Sequence, residues 1–169
     1  MYKASRIAGF TLIELMVALA VLAILLTVGV PSFQSLFERN RAKTTAESVR
    51  GFFDEARAEA LRRNLPLRVT VSAGENWCLG LSLAECDCAE ANSCVIDGRE
   101  RVLSAQSFRA YPLQSSFAAG NTVFEPRRGT ASASGLVTVQ APNGSVSINL
   151  NRLGRTSTCS TAGYGYPSC

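Results

Sequence analysis

The chain carries 13 Asp and Glu residues, six Cys and no His. Without histidine it lacks both the commonest general base at neutral pH and the commonest zinc ligand. Aspartate is confined to Asp54, Asp87 and Asp97, and no nucleophile motif accompanies the serines, so the composition argues against an enzyme. The cysteines are the next candidates for chemistry: Cys78, Cys86, Cys88 and Cys94 in one cluster, Cys159 and Cys169 at the C-terminal end. The cluster spacing, C-x7-C-x-C-x5-C, lacks the paired C-x-x-C steps of structural zinc sites. An even number of cysteines downstream of an apolar segment points instead to disulfides in an oxidising compartment. Cys159 and Cys169 are expected to pair, closing a short Gly-rich tail. The other four are expected to pair among themselves in an open pattern, with Cys86–Cys88 disfavoured as a strained near-neighbour pair.

The remaining chemically pointed residue is Glu14. It stands near the head of Thr11–Val30, twenty residues in which it is the only charge. A helix of that length spans about 30 Å, the thickness of a bilayer core. A charged side chain at the centre of such a core costs roughly 2.5–3.5 kcal/mol on insertion scales, so Glu14 calls for a partner. A basic leader with Lys3 and Arg6 precedes the run, as in a secretory signal peptide. The run is too long for a signal core, however. No small-x-small cleavage site follows it, and past Pro31 it passes into a helix-periodic segment. Pro31 removes a backbone donor and is expected to kink the helix or melt a turn.

Residues Gly9-Phe10-Thr11-Leu12-Ile13-Glu14-Leu15 resemble the GFTLIEL signature of type IV prepilins and type II secretion pseudopilins. The resemblance implies removal of a leader, residues 1–9, by a membrane-bound prepilin peptidase cutting between Gly9 and Phe10, then N-methylation of Phe10. It also implies an assembly contact: Glu14 would neutralise the methylated N-terminal amine of a neighbouring subunit, two opposite charges compensating each other's desolvation. An ordinary single-span anchor is the plain alternative, and it has no use for an intramembrane carboxylate. By the same resemblance the N-terminus is cytoplasmic and the head periplasmic in the inner membrane, before incorporation into an extracellular pilus. Lys3 and Arg6 agree with that orientation, but Arg39, Arg41 and Lys43 follow the span on its other side.

The elements that position these residues read as an α+β chain. Residues 10–30 form a transmembrane or filament-core helix, and 31–64 an amphipathic continuation. Its apolar positions run Phe33, Leu36, Phe37, Ala42, Ala46, Val49, Phe52, Phe53, Ala56 and Ala60, with mixed charges on the wet face. Asn64-Leu65-Pro66 stops it. From residue 65 to 169 the pattern is that of an antiparallel β head. Strands are expected at 67–72, 77–83, 101–109 and 122–126, with a clear hairpin of 135–140 and 145–150 around Ala141-Pro142-Asn143-Gly144. Residues 84–94 read as a Cys-stapled loop.

EALRRNLPLRVTV (59–71), Trp77, FEPRRG (124–129) and GSVSINLNRLGRTST (144–158) follow, in order, the pattern of the FimT/FimU minor pilins and GspH-type pseudopilins. The resemblance implies a pilin fold, a long helix under small antiparallel sheets, with no cofactor. It implies a minor subunit of a type IV pilus, at the filament tip, priming assembly and supporting twitching motility and adhesion. The partners it implies are other minor pilins, the major pilin and a tip adhesin. Two other readings stay open: a type II secretion pseudopilin, and a DNA-binding minor pilin for natural transformation. DNA-binding relatives carry Gly-Arg-x-Arg near the C-terminus; here Gly154-Arg155-Thr156-Ser157 lacks the second arginine. Arg152 and Arg155, with Arg127 and Arg128, would make only a weak phosphate site.

Overall fold

A computed structural model describes residues 10–107, 111–161 and 163–169, with the backbone alone for 28–32. The chain divides into two units, Met1–Phe37 and Glu38–Cys169. The expected leader, residues 1–9, lies outside the described residues.

In the first unit, helix α1 (Leu12–Arg63) begins. Leu12 to Leu26 present large aliphatic side chains on every side, from 78% exposed at Leu12 to 51% at Leu22. A helix that is apolar all round has no wet face to offer. Among the described residues no helix is long and apolar enough to cross a membrane. The described apolar stretch, Leu12–Thr27, falls short of the about twenty residues a bilayer core requires. The last residues of the expected span, 28–30, have side chains outside the description. The backbone is helical through Pro31 without a melted turn.

In the second unit the same helix buries Ala42, Thr45, Ala46, Val49, Phe53, Ala56 and Ala60. Apart from the adjacent Thr45 and Ala46 the steps are three or four, so one stripe faces inward. Phe33, Leu36 and Phe37, expected on that stripe, are exposed instead. They belong to the first unit, ahead of the stripe that the sheets cover. The helix ends on a left-handed residue, Asn64 (φ 54°), with Leu65 N–H donating to Ala60 O and Asn64 N–H to Leu61 O. These bonds use carbonyls that the helix end would leave unpaired, and Pro66 prevents a further turn.

Two antiparallel sheets supply the rest of the core. The first orders β5 (Val102–Ser104), β2 (Cys78–Ser82), β1 (Leu67–Ser72) and β7 (Asn121–Phe124). The second orders β10 (Thr156–Ser160), β9 (Gly144–Leu150), β8 (Gly135–Ala141) and β6 (Leu113–Ser115). A small ladder pairs β3 (Val95–Ile96) with β4 (Arg99–Glu100). β1 alternates buried and half-buried residues, the period-2 signature of a sheet with one dry face. The first strand after the helix therefore places Leu67, Val69 and Val71 in the core with Phe53, Trp77 and Phe124. Trp77 satisfies its indole N–H by donating to the Tyr111 carbonyl at 3.0 Å.

The expected 101–109 strand is shorter. It is β5, followed by a 3-10 turn at Ala105–Ser107, and residues 108 and 109 lie outside the described residues. The C-terminal region, where the sequence pattern marks no particular strand, contains β10, whose polar TSTCS sequence carries no hydrophobic alternation and is held by its ladder to β9.

Candidate functional site

Three groups of residues carry the chemistry, and the first is the start of α1. Thr11 caps the helix. Its hydroxyl oxygen accepts from Glu14 N–H at 3.3 Å, and the Glu14 carboxylate accepts from Thr11 N–H at 3.0 Å and from the Thr11 hydroxyl at 2.9 Å. This reciprocal T-x-x-E capping box satisfies backbone donors that a helix start otherwise leaves open. Sequence reasoning passed over it, although the spacing Thr11–Glu14 was its signal. Glu14 therefore has local hydrogen-bond partners, but both are neutral, and among the described residues no cation pairs with its charge. It lines a shallow hollow with Ile13, Val17 and Ala18. Phe10 is 91% exposed beside it. Gly9 lies outside the described residues, as does the side chain of Pro31.

The second group is the set of cysteines, all of which are in disulfides: Cys78–Cys88, Cys86–Cys94 and Cys159–Cys169. The first two form a buried cluster against Val102. They lie over the outer face of β2 and explain why every residue of that strand is buried. Gly80 is the residue that admits them, since a Cβ there would sit 2.2 Å from Cys94 Sγ. The third bond is different: Cys159 is half-buried and Cys169 exposed. It closes a tail that loops round to a parallel bridge with the end of β10, with Ser160 N–H donating to Pro167 O and Cys169 N–H to Ser160 O.

That tail is fastened to α1 by aromatic residues. Tyr164 is buried in the core, the Tyr166 hydroxyl bonds Glu47 at 2.5 Å, and the Lys43 ammonium lies 5.6 Å from the Tyr166 ring centroid. Burial, then the Glu47 hydrogen bond, push the Tyr166 phenol well above its ordinary range. The phenol stays a neutral donor.

The third group is charged. At the end of α1 the buried Glu59 carboxylate accepts from Arg62, at 2.6 and 2.7 Å, and from Arg63. Hydrogen bonds from Arg62, then Arg63, outweigh burial and hold this carboxyl below its usual range. Arg63 also pairs with Asp97 in the β3–β4 turn, which ties that turn to the helix. Arg101 pairs with Glu55 at 2.6 Å.

Arg152 and Arg155, the candidate phosphate contacts, sit in the β9–β10 loop, and Arg127 and Arg128 in the loop after β7; all four are exposed. The fold brings the two loops together. Ala131 N–H donates to Arg152 O, Arg57 Nε donates to Gly129 O, and a Cβ at Gly154 (φ 72°) would lie 1.9 Å from the Gly129 carbonyl oxygen. The four arginines, scattered in sequence, thus share one surface. Among the described residues none of their side chains makes an ion pair.

The sequence family described as type II transport protein GspH matches residues 45–154. The prokaryotic N-terminal methylation motif matches residues 4–30. No curated protein sequence matches the chain. Among solved structures, the type IV minor pilin FimU of Pseudomonas aeruginosa is similar in two crystal forms. One has a TM-score of 0.55 at 18% identity, covering 72% of this chain and 90% of that one. The other has a TM-score of 0.52 at 15% identity, covering 69% and 90%.

Proposed function

Since the chain belongs to the type II transport protein GspH family and has the pilin fold, we propose that it is a minor pilin, a structural subunit of a type IV pilus. In this reading a prepilin peptidase cuts between Gly9 and Phe10 and Phe10 is N-methylated. The apolar half of α1 holds the subunit in the inner membrane with the head periplasmic, then packs among neighbouring helices at the filament tip with other minor pilins. The observation that carries the reading is the exposure of every large side chain from Leu12 to Leu26. So much apolar surface on one helix has to be covered by lipid or by other helices. The N-terminal methylation motif over residues 4–30 supports the processing step.

Intact mass of the protein recovered from sheared filaments tests it. The expected species begins at methylated Phe10. A species that begins at Met1, or that is cut after residue 30, refutes the processing.

A second reading, a pseudopilin of type II secretion, is favoured by the family description itself. Deletion of the gene separates the two: loss of surface pili supports the pilus, and loss of exoprotein secretion with pili intact supports the pseudopilin.

DNA binding by the head is expected to be weak. Four arginines release few counterions, and phosphate affinity rises steeply with that number. A gel shift at physiological salt giving a dissociation constant tighter than about 1 μM, beyond the ordinary non-specific range, would reverse this ranking.

A further inference from the structure

β5 is the outermost strand of its sheet, and its free side lies beside a hollow. Its register with β2 sets Gly80 opposite Val102, Leu79 opposite Leu103 and Cys78 opposite Ser104. At the ends of the ladder Leu81 N–H donates to Arg101 O at 2.9 Å and Ala105 N–H to Trp77 O at 3.0 Å. Antiparallel partners alternate between bonded and non-bonded pairs. Residues 101, 103 and 105 therefore turn to β2, and the N–H and C=O groups of Val102 and Ser104 turn outward. Among the described residues these outward groups have no hydrogen-bond partner. The other outer strands have neighbours. Ser132 N–H donates to Val123 O along β7, and Leu113 of β6 exchanges two bonds with Gly74. On β10 the tail takes Ser160, and the Thr156 hydroxyl donates to Asp54 of α1 at 2.8 Å.

The side chains of Val102 and Ser104 share a face of the sheet with their partners Gly80 and Cys78. A hollow of about 400 Å³ opens there, with the disulfide loop as its other wall. Cys78, Cys88 and Val102 give it an apolar lining, and Glu90 and Glu100 a charged one. Both carboxylates belong to exposed residues. Glu100 is held to the loop by accepting from Asn92 N–H at 2.7 Å. No cation lines the hollow, and among the described residues neither carboxylate makes an ion pair. Between Arg68 and Arg99 the sequence has Glu75, Glu85, Asp87 and Glu90 and no basic residue. The Cys78–Cys88 and Cys86–Cys94 bonds stiffen the loop wall.

We infer that β5 is a docking edge for an extended segment of a partner protein. The segment adds to the sheet as a further strand, with a basic side chain at Glu90 and Glu100 and an aliphatic one over the Cys78–Cys88 bond. An added strand lies about 4.8 Å from its neighbour and uses the backbone groups that Val102 and Ser104 leave open. Its alternate side chains fall on the face of the hollow. Charge sets the preference: two carboxylates without a cation attract Lys or Arg and repel an acidic segment. The stiff wall has little freedom to lose on binding. The ladder is short, so the contact is weak, reversible and sensitive to salt. The inference concerns the head surface and does not depend on which filament the subunit serves.

The test titrates the full chain, in neutral detergent micelles, into a dye-labelled heptapeptide blocked at both ends and reads fluorescence anisotropy. In the peptide, threonine alternates with lysine, valine and lysine. Saturable binding is expected, with a dissociation constant below about 1 mM. The same peptide with glutamate for lysine should bind at least about tenfold more weakly, and about 1 M salt should weaken the lysine peptide. Ser104→Pro removes an outward N–H that the β2 ladder does not use, a position where an edge strand tolerates proline. It should abolish binding. Glu90→Lys with Glu100→Gln should weaken it at least about tenfold, and the glutamine keeps an acceptor for Asn92. Far-ultraviolet circular dichroism confirms that the variants fold. Two further peptides carry N-methyl groups, one on the threonines and the other on the lysines and valine. In an added strand only one of these sets of amides faces β5, so one peptide should lose binding and the other keep it. Absence of saturable binding, equal binding of the lysine and glutamate peptides, or methylated peptides that behave alike overturns the inference. So does full binding by a folded Ser104→Pro chain. A wild-type dimer that Ser104→Pro dissociates would also overturn it, by assigning the edge to a second copy.

Discussion

The two halves of α1 share a backbone and differ in nearly everything else. From Leu12 to Leu26 the side chains are long aliphatics facing all directions, and all are exposed. From Ala42 to Ala60 the buried apolar positions are mostly alanine, with Val49 and Phe53 between, and they form one stripe. Alanine presents a nearly flat helix face that lets sheets approach closely, and one large ring then fills the centre of the contact. Bulky residues on every side prefer no single face, so no one sheet could cover them. Helical structure alone thus does not decide whether a segment builds a core inside the chain or awaits one outside it. The size and angular spread of the side chains decide it.

The sharpest break of this comparison is one truncation in each half. Phe53→Ala removes a fully buried ring that packs 6.0 Å from Phe117, centroid to centroid. It should cost about 3–5 kcal/mol of head stability. Leu19→Ala in the first half should leave head unfolding within about 0.5 kcal/mol of wild type. Denaturant melts of both proteins measure the difference. Equal losses would mean that the first half contributes to the head core.

Next in size is the tail that covers the second half. Cys159→Ser with Cys169→Ser opens a short loop and should cost roughly 2–3 kcal/mol in the chain-entropy model. Graded reduction followed by alkylation should label Cys159 and Cys169 before the four buried cysteines. Simultaneous labelling of all six would mean that exposure does not set the order of reduction.

Glu14 probes the first half alone. Glu14→Ala removes both its charge and its cap on Thr11. We expect leader cleavage and head stability unchanged, and about a tenfold fall, or 1.4 kcal/mol, in the filament-to-membrane ratio. Glu14→Gln keeps an acceptor for Thr11 and loses only the charge. If it assembles as poorly as Glu14→Ala, the charge is what the filament needs. If it assembles normally, the helix cap is the whole contribution. An unchanged ratio in both variants removes Glu14 as an assembly contact.

The smallest effect is a pH dependence confined to the second half. The Glu59 carboxyl is held below its ordinary value of 4.5 by Arg62 and Arg63. A carboxyl with a depressed folded-state pKa contributes stability that is fully present above the unfolded value and is lost as pH falls through the folded one. Head stability from this group should therefore be flat from pH 7 to about 5 and decline below about 4.5. Glu59→Gln should flatten that decline. A variant that retains the full acid slope would assign it to other carboxylates.

What could be read from the sequence was local. The end of α1 at Asn64-Leu65-Pro66 was legible because a left-handed residue followed by proline ends a helix through its own backbone geometry. The β8–β9 hairpin was legible because alternation and a Pro-Asn-Gly turn are neighbours in the chain. The N-terminal methylation motif was legible as a run of adjacent residues, and so in principle was the Thr11 cap. The family relationship followed from such runs. Tertiary structure alone decided the rest. β10 has no hydrophobic alternation and is a strand because β9 lies beside it. The partners of Cys78, Cys86, Cys88 and Cys94 followed from β2 presenting Cys78 and Gly80 under the folded loop, which brought the bonded Cα atoms to 5.8 and 5.2 Å. Arg127, Arg128, Arg152 and Arg155 became one surface only when Gly154 allowed its loop to close on Gly129. A bond or patch between residues distant in sequence depends on the geometry of every element between them, and the residues themselves carry no mark of it.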